Sequence, residues 1–539
     1  MSQAYDPSLV DDFMAHHWGF RPVDATFMGD RNHDALLPPA GPETLADEVE
    51  GIDALRLRLE NSAEPADLGD RLDRRMMLAE LGMQRLAAQT RPRLNNPAWY
   101  SGEAAFAIIS LLLPQSMPIR HEALVARLSG IAAFLQSATE RLEGAAVPQG
   151  WIKRAQKEAL AMAEFLRTDI RLHEEFADDW AEPARWAADA FEAFAAALDG
   201  HPDADPACGE AYLTRLMAEL HGLPMSPREA VEKAETAYRR MGEEMAEMAR
   251  AIDPNRTADQ ILAGLADIHP DDPESVFNSY MDWDVQAVAQ GAALVTPAQE
   301  YDLDYRWMAP CFRKISQPLY FLFYRSPPGL DPGAGSVYWV TPPGEDETAF
   351  LRGNNTAMVK TIHSVHHGSV GHHTQNTRAR AAASRLARIA GTDCALGLAF
   401  LGSGTLIEGW ACYVEDLLME APGFYTPEEI LLLKQFERRN AASVLVDIKL
   451  HLADWTLEQA MDFYRSAGFA PARVEGEVVR NSMLPGSRLM YWLGVEGIKS
   501  LRQRWKGDTL SFHDGLLSFG HMPLAWIAEE MEKAGQLHP

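Results

Sequence analysis

The chain has 539 residues, of which 47% are hydrophobic and 23% are charged, and its formal net charge is −28. These proportions are those of a globular protein, so they exclude a disordered or low-complexity chain. The negative charge argues against nucleic acid as a partner and against a polybasic membrane anchor, because both require a basic surface.

The N-terminal residues and the cysteines favour a reducing compartment. The sequence begins MSQAYDPSLVDDF, which has neither the basic nor the apolar part of a signal peptide. The longest apolar stretch, Ala104–Leu113, is too short to span a bilayer. The 4 cysteines are too few and too scattered for a disulfide framework. We therefore expect a cytoplasmic protein that does not bind a membrane.

The first part of the chain is predicted to be helical. In five segments apolar residues recur at three- and four-residue spacing between charged residues, and alanine and leucine favour helices. The segments are Leu55–Leu59, Leu72–Met83, Ile119–Leu142, Trp151–Leu198 and Pro227–Ile252. We expect residues 1–300 to form a helical scaffold half and one wall of a cleft.

The composition changes between Asp302 and Pro343. Phe321–Tyr324 and Val337–Val340 are aromatic and β-branched, and they flank the segment Ser326–Gly335, which is rich in Pro and Gly. This pattern predicts a strand, a loop and a second strand. The sequence thus predicts a small β element near residues 318–342.

Residues 301–539 are predicted to hold the functional site. Helical periodicity returns at Asn354 and continues nearly to the end, including Glu428–Asp454 and Leu457–Ala467. Thr456 precedes the second of these segments as a candidate N-cap. Because no linker divides the chain, we expect one continuous, mainly α unit.

Five histidines stand close together in an internal segment. They are His363, His366, His367, His372 and His373. Valines and glycines separate them and helical sequence flanks them, unlike the histidines of a solvated tag or storage tail. The segment therefore predicts a buried metal site.

Two ligand pairs are compatible with this spacing. His363 and His367 would face the same side of a regular helix, a spacing that zinc sites use. His366 and His372 could share an ion only if the helix bulges or unwinds between them. The two glycines in that interval would make such a distortion inexpensive. From the spacing alone, both pairs remain possible.

A further ligand is expected from the apolar helix that contains Glu408 and Glu415. The two acids are seven residues apart and lie on one face of that helix. An acid within an apolar helix is costly unless it is paired or binds a metal. A salt bridge to a basic residue is the alternative.

These segments resemble the bacterial family known as domain of unknown function 885. Its motif His-Glu-x-x-Pro-Gly-His-His-x-Gln aligns with His366–Gln375. The motif Glu-Gly-Trp-Ala-x-Tyr-x-Glu is intact at Glu408–Glu415. Shorter matches follow the same order and are Pro22–Gly29, Val446–Thr456, Glu477–Gly494 and Gly520–Leu524.

The resemblance implies a large, helical, metallopeptidase-like fold and a divalent metal, with zinc favoured. Members of the family look like relatives of helical zinc oligopeptidases and carboxypeptidases. By this resemblance His366, His372 and Glu408 would bind the metal and leave a position open for water.

The resemblance also suggests roles around the metal. Glu415 would support a ligand or the catalysis, and Tyr491 would donate a hydrogen bond to an oxyanion, unless it is a core tyrosine. His373, His363 and Arg480 are candidates for substrate binding. Arg480 would hold a substrate carboxylate or pair with Glu477.

One departure from the family motif affects the expected chemistry. His367 stands where the family has glutamate, the general base of related peptidases. Val370 replaces the proline of the motif. An imidazole at position 367 could accept a proton near pH 7 or become an additional ligand. A nitrogen-rich site would also suit copper, iron or nickel.

Three hypotheses follow from the sequence. The first is a metal-dependent hydrolase of a small amide or peptide-like substrate, with His367 or Glu415 as the base. The second is a metalloenzyme of another class, such as a metal-dependent oxidase. The third is a metal-binding pseudo-peptidase without turnover. The sequence predicts no oligomeric state.

Overall fold

The chain is mainly α-helical, as predicted. The computed structural model describes residues 4–114, 117–300, 302–319, 324–326, 328–331, 333–389 and 404–538, and the backbone of 393–394 and 397–398. Up to residue 300 the helices are α1 (Leu9–Phe20), α2 (Pro22–Met28), α3 (Thr44–Asn61), α4 (Leu68–Thr90), α5 (Pro97–Leu112), α6 (His121–Leu142), α7 (Gln149–Arg167), α8 (Ala181–Ala197), α9 (Glu210–Arg215), α10 (Pro227–Ile252), α11 (Ala258–Leu265) and α12 (Pro273–Gly291).

The later helices surround the histidine segment. They are α13 (Glu347–Gly353), α14 (Thr356–Met358), α15 (His372–Ala379), α16 (Gly404–Leu417), α17 (Pro427–His451), α18 (Leu457–Ser466), α19 (Pro471–Met483), α20 (Leu489–Arg504), α21 (Thr509–Leu517) and α22 (Leu524–Lys533). Two π-helical segments, Leu216–Leu220 and Val359–His366, interrupt the α-helical pattern. Thr456 is the N-cap of α18, as predicted, and its side chain accepts a hydrogen bond from the Gln459 N–H.

The predicted helical segment Trp151–Leu198 contains two helices, α7 and α8. Residues 168–180 between them contain short 3₁₀ turns. The two helices pack against each other, so the chain must reverse direction between them. Ile170 and Trp180 are buried in the connection. Apolar periodicity therefore continues through the turn, which is why the sequence did not mark the break.

A three-stranded sheet lies next to the histidine segment. Its strands are β1 (Leu303–Trp307), β2 (Tyr324–Arg325) and β3 (Ser336–Val340), in the order β1-β3-β2. β1 is parallel to β3 and β2 is antiparallel to it. Two further short strands, β4 (Asp393–Cys394) and β5 (Gly397–Leu398), pair antiparallel in a region predicted to be helical.

The predicted β element near residues 318–342 contains two strands of this sheet. Of the predicted strand Phe321–Tyr324, only Tyr324 is described, and Phe321–Phe323 lie outside the described residues. The predicted strand Val337–Val340 is β3, which begins one residue earlier. β1 was not predicted, although Leu303, Tyr305 and Trp307 alternate with polar residues. It is five residues long and carries two charges, so this alternation was a weak signal.

Two packing features determine the position of α16, the helix that carries Glu408 and Glu415. The two largest clusters of buried apolar side chains each combine residues from before and after residue 300. α16 and α20 cross in close contact at Gly409 and Gly494. A Cβ on Gly409 would lie 2.7 Å from the Gly494 Cα, so a larger residue would separate the helices. This contact fixes the depth of Glu408, the residue before Gly409.

Candidate metal centre

The histidines lie on a distorted helix. The π-helix Val359–His366 ends at His366, residues 367–371 form a turn, and α15 begins at His372. The wider π-helix and the turn remove the regular spacing that would align His363 with His367. Of the two ligand pairs that the spacing allowed, the structure brings His366 and His372 together.

Two glycines make this turn possible. A Cβ on Gly371 would clash with the carbonyl oxygen of His366, and a Cβ on Gly368 would clash with that of Ser364. Gly371 has φ −96° and ψ −126°. Because the backbone folds back on itself at both positions, the turn excludes larger residues.

Buried polar groups hold the turn from outside. Asp284 on α12 accepts hydrogen bonds from the Ser369 N–H and hydroxyl, both at 2.7 Å. Burial raises the pKa of Asp284 to about 6, although these hydrogen bonds lower it. The Trp410 indole on α16 donates to the carbonyl oxygens of Val370 and Gly371, at 3.2 and 3.3 Å. The turn is therefore fixed between α12 and α16.

His366, His372 and Glu408 converge on one point. The Nε2 atoms of His366 and His372 lie 3.9 and 3.7 Å from Oε2 of Glu408. Ligand atoms about 2 Å from a shared tetrahedral ion are separated by about 3.3 Å. The two imidazole rings are nearly perpendicular, with centroids 4.9 Å apart. Modest side-chain movement would therefore bring all three groups to an ion.

Glu415 holds the other nitrogen of His366. Its Oε1 lies 2.6 Å from Nδ1 of His366, and both side chains are buried. Burial, together with the neighbouring His372, lowers the pKa of His366 to about 3. Burial also raises the pKa of Glu415 well above its usual range. The imidazole is thus neutral, and because its Nδ1 is engaged by the Glu415 carboxyl group, Nε2 is the ring nitrogen that faces Glu408.

Glu408 is anionic in this setting. Burial alone would raise its pKa, but the hydrogen bond from His372 and the charges of His372 and His366 outweigh that effect. The result is a pKa of about 2. A carboxylate next to two imidazole rings is a donor set that suits a divalent cation.

His367 adds a third imidazole. One ring nitrogen from each of His366, His367 and His372 lies within 4.8 Å of the other two. The His367 ring stacks on those of His372 and Tyr324, with centroids 5.5 and 5.8 Å apart. Nδ1 of His367 and of His372 is buried, and neither has a hydrogen-bond partner among the described residues. Such orphaned nitrogens are unusual unless a ligand or ion completes the site.

A second candidate group lies on the opposite side of His366. A side-chain donor atom of Cys412 lies within 4.8 Å of those of His366 and Glu415. The carboxyl group of Glu415 is already hydrogen-bonded to His366, and the Asn440 amide donates to the Cys412 sulfur at 3.6 Å. Because these groups satisfy one another, the first group is the better cation site.

His363 and His373 lie against the sheet. His363 Nδ1 is hydrogen-bonded to the Tyr338 hydroxyl, and its ring stacks on Tyr280 at 5.1 Å. His373 Nδ1 lies 2.7 Å from the Ser336 hydroxyl. Both histidines are predicted to bind substrate, but in the structure they join the helical segment to β3 and lie outside the cavity described next.

A cavity of about 210 Å³ borders the centre, and Glu408 forms part of its wall. Tyr491 and Arg480, two of the predicted site residues, line it, and Arg488 lies beside them. Burial raises the pKa of Tyr491, and the nearby Glu408 raises it further, so the hydroxyl stays protonated. Glu477, the alternative partner proposed for Arg480, forms an ion pair with Arg488.

The lining residues that were not predicted include Arg91, Arg93 and His221. His221 follows the π-helix Leu216–Leu220 and is buried, and its Nδ1 has no hydrogen-bond partner among the described residues. Burial lowers its pKa to about 4. All three come from the first 300 residues, far in sequence from either motif, so no local pattern linked them to the site.

Two solved structures share this fold. One is described as a candidate lipoprotein of unknown function from Shewanella oneidensis, with 18% sequence identity and a TM-score of 0.77. The match covers 98% of this chain and 100% of that chain. The other is a candidate lipoprotein from Colwellia psychrerythraea, with 18% identity, a TM-score of 0.76 and 98% of each chain covered. No curated protein matches the sequence.

These relatives correct the predicted cytoplasmic location, which is wrong. Both are described as lipoproteins, a class that is membrane-anchored or secreted. The prediction depended in part on cysteine content. Few cysteines mean only that the fold needs no disulfide framework, and proteins outside the cytoplasm can also lack one. No helix among the described residues has the length and apolar character needed to cross a bilayer.

The sequence model of one bacterial family matches residues 22–531. This range includes the histidine segment, α16 and all of the cavity-lining residues named above. The match confirms the family that the motifs suggested, and the chain belongs to the bacterial proteins of unknown function called DUF885.

Proposed function

We propose that this protein is a metal-dependent hydrolase that cleaves a C–N bond of a small amide or peptide-like substrate. The observation that carries the proposal is the convergence of His366 and His372 on Glu408, at 3.9 and 3.7 Å. Two imidazoles and one carboxylate, with a position left for water, are the ligands of many catalytic zinc sites. Glu415 behind His366 matches the carboxylate that commonly orients such a ligand.

The donor atoms fit a divalent metal. The His366 imidazole is neutral, Glu408 is anionic, and the His372 Nδ1 is buried without a partner. Zinc is the favoured ion because it accepts both nitrogen and carboxylate ligands in tetrahedral geometry. Copper, iron and nickel also bind imidazole-rich sites. A bound metal would polarise the substrate carbonyl and acidify a water molecule.

The side chains around the centre have distinct roles in this proposal. Glu415 orients His366, since its carboxylate is already engaged by Nδ1 and buried. This leaves His367 as the candidate proton acceptor, and burial keeps its imidazole neutral by lowering its pKa. Tyr491 would donate to the oxyanion that forms from the carbonyl. Arg480 would hold a carboxylate of the substrate.

A second candidate function is metal-dependent oxidation. It is favoured by the third imidazole, His367, within 4.8 Å of the other two, and by the hydrogen-bonded Tyr338–His363 pair beside it. Two histidines and one carboxylate also form the triad of non-haem iron oxygenases. The identity of the bound metal separates the two functions, since zinc has no redox chemistry.

The test is the metal content of dialysed protein, measured by elemental analysis together with amide hydrolysis. We expect one equivalent of metal in the wild type and in the control His269→Ala. His269 lies shortly before the start of α12 and is not one of the proposed ligands. His366→Ala and Glu408→Ala should lose the metal and the hydrolysis while remaining folded. A wild type without stoichiometric metal would overturn both functions. Stoichiometric zinc without turnover of any dipeptide or acyl-amino acid would point to a pseudo-peptidase.

A further inference from the structure

The cavity beside Glu408 is rich in positive charge. Four arginines line it, namely Arg91, Arg93, Arg480 and Arg488, and Glu408 is the single carboxylate among the lining residues that the structure describes. Glu477, behind the lining, forms an ion pair with Arg488, so positive charge still exceeds negative charge around the cavity. The four arginines come from two places in the chain. Arg91 and Arg93 lie in the connection from α4 to α5, whereas Arg480 is on α19 and Arg488 directly precedes α20. Arg91 and Arg93 thus form one wall segment of the cavity and Arg480 and Arg488 another, and the two segments meet where Arg91 donates to the Ser482 carbonyl oxygen on α19.

Arg91 has neutral partners. Its guanidinium donates to the carbonyl oxygens of Pro206 and Ser482. Among the described residues no carboxylate lies within ion-pair distance of it. Backbone carbonyl oxygens accept the hydrogen bonds of the Arg91 guanidinium but do not neutralise its charge. A full positive charge therefore remains on this side of the cavity.

Arg93 shares its carboxylate. Glu48 is 2.5 Å from Arg93 and 3.1 Å from Arg21, so two guanidinium groups have one acid between them. Nε and Nη2 of Arg93 are buried, and neither has a hydrogen-bond partner among the described residues. Buried donors of a charged group are expensive to leave unpaired. This guanidinium therefore has both excess charge and unused donors.

Two indole rings hold these arginines in place. The Arg91 guanidinium lies over the Trp151 ring at 4.9 Å, and that of Arg93 lies over Trp99 at 5.3 Å. Trp151 is itself fixed by a hydrogen bond to the Ser482 hydroxyl at 2.9 Å. Stacked guanidinium groups lose little freedom when they bind a planar anion, so the wall is preorganised for a carboxylate.

We infer that Arg91 and Arg93 bind an anionic group of the substrate, so that the cavity takes a small dicarboxylate whose second carboxylate lies on the Arg480–Arg488 wall. This inference rests on the proposed function for the identity of the cavity as a substrate site. It adds a substrate class: acidic amides with two carboxylates separated by a short apolar spacer. The spacer would lie against Trp99, Trp151 and Met490, which also line the cavity.

The test uses glutarate as the probe and the metal-free full-length protein, so that binding does not depend on catalysis. Calorimetry should show binding of glutarate to the wild type, and binding of the monocarboxylate butyrate at least tenfold weaker. Arg91→Lys and Arg93→Gln should each weaken glutarate binding tenfold or more. Lysine keeps the charge and loses the fork geometry, and Arg93→Gln leaves Glu48 paired with Arg21.

Arg438→Ala is the matched control, because Arg438 stacks on Tyr238 at 4.1 Å but does not line the cavity. It should leave glutarate binding unchanged. Equal binding of glutarate and butyrate, no binding of glutarate to the wild type, or unchanged binding to folded Arg91→Lys and Arg93→Gln would each overturn the inference. Binding of glutarate, together with no hydrolysis of acidic amides by the metal-loaded protein, would count against the proposed function alone.

Discussion

The residue that most affects the proposed chemistry is His367. The motif resemblance aligns it with a glutamate, and its ring lies 4.6 Å from that of His366. Burial lowers its pKa well below the ordinary value, so near pH 7 it can accept a proton or a metal but carries no charge. Removal of the imidazole would slow the reaction if His367 is the proton acceptor, and would weaken metal binding if His367 is a ligand.

As the proton acceptor, His367 should control the rate and leave metal affinity intact. His367→Ala is expected to lower kcat by 10² to 10⁴-fold, the usual contribution of a general base, with little change in KM. Metal content and steady-state hydrolysis are measured on the same preparation, with His269→Ala as the control. Loss of the metal from His367→Ala would instead assign the third imidazole to the coordination sphere.

At the scale of elements, the site depends on the π-helix and the turn that follows it. The turn is closed by Gly368 and Gly371, and a Cβ at either position would clash with the backbone of the preceding π-helix. Trp410 and Asp284 hold the turn from outside. A side chain at position 371 would thus displace His366 relative to His372.

Gly371→Ala should therefore abolish metal binding and lower the free energy of unfolding by about 3 kcal/mol or more, because the clash involves backbone and cannot relax through a rotamer change. Urea denaturation and metal analysis check this expectation. Gly353→Ala is the matched control, since nothing lies within 4 Å of its added Cβ. Stoichiometric metal in Gly371→Ala would show that the turn does not position the ligands.

The connection between α19 and α20 is a second element on which the cavity depends. Asp447 on α17 is fully buried and accepts the backbone N–H groups of Gly486 and Arg488, at 3.0 and 2.7 Å. Burial raises its pKa from 3.8 to about 7, despite these hydrogen bonds. Since its folded pKa exceeds the unfolded one, its contribution to stability is complete below pH 3.8 and is lost as the pH rises through 7.

Asp447→Asn removes this titration. We expect the variant to be less stable than the wild type at low pH, and the difference to shrink by at most about 4 kcal/mol between pH 4 and pH 8. Denaturation at several pH values measures it. Asp282→Asn, an exposed acid on α12, should show no such trend. A stability difference that does not vary with pH would mean that Asp447 stays ionised in the fold.

The periodicity of apolar side chains predicted the regular α-helices, because in those helices the side-chain pattern follows directly from the backbone conformation. The α10, α11, α17 and α18 helices begin with capping boxes, and their apolar spacing is regular. A π-helix differs from an α-helix in its backbone hydrogen bonds, so the spacing left the pairs His363/His367 and His366/His372 both possible. The family motif, and not periodicity, favoured His366 and His372.

At the scale of the whole molecule, the candidate site combines parts that are distant in sequence. The motif residues come from the π-helix, α15 and α16, and Tyr491 comes from α20. Arg91 and Arg93 lie more than 270 residues earlier and reach the cavity because the large apolar clusters join both parts of the chain. The residues that belong to motifs are recognisable in the sequence. Arg91 and Arg93 are not, because only tertiary packing brings them to the same cavity.

The overall charge and the charge of the cavity have opposite signs, and this should be visible in binding kinetics. The chain carries −28, whereas four arginines line the cavity. A dianion must approach through a repulsive field, and salt screens that field because the Debye length falls from about 30 Å at 0.01 M to about 8 Å at 0.15 M. Contacts inside the cavity are screened much less.

We therefore expect the association rate constant of glutarate to rise several-fold between 0.01 and 0.15 M salt, while its dissociation rate constant changes little. Stopped-flow fluorescence can follow binding, because Trp99 and Trp151 line the cavity. Glutaramide, which has the same spacer and no charge, should associate at a rate that does not depend on salt. An association rate that falls with salt would show that the arginines attract the anion from outside the cavity, and that the net charge of the chain does not govern its approach.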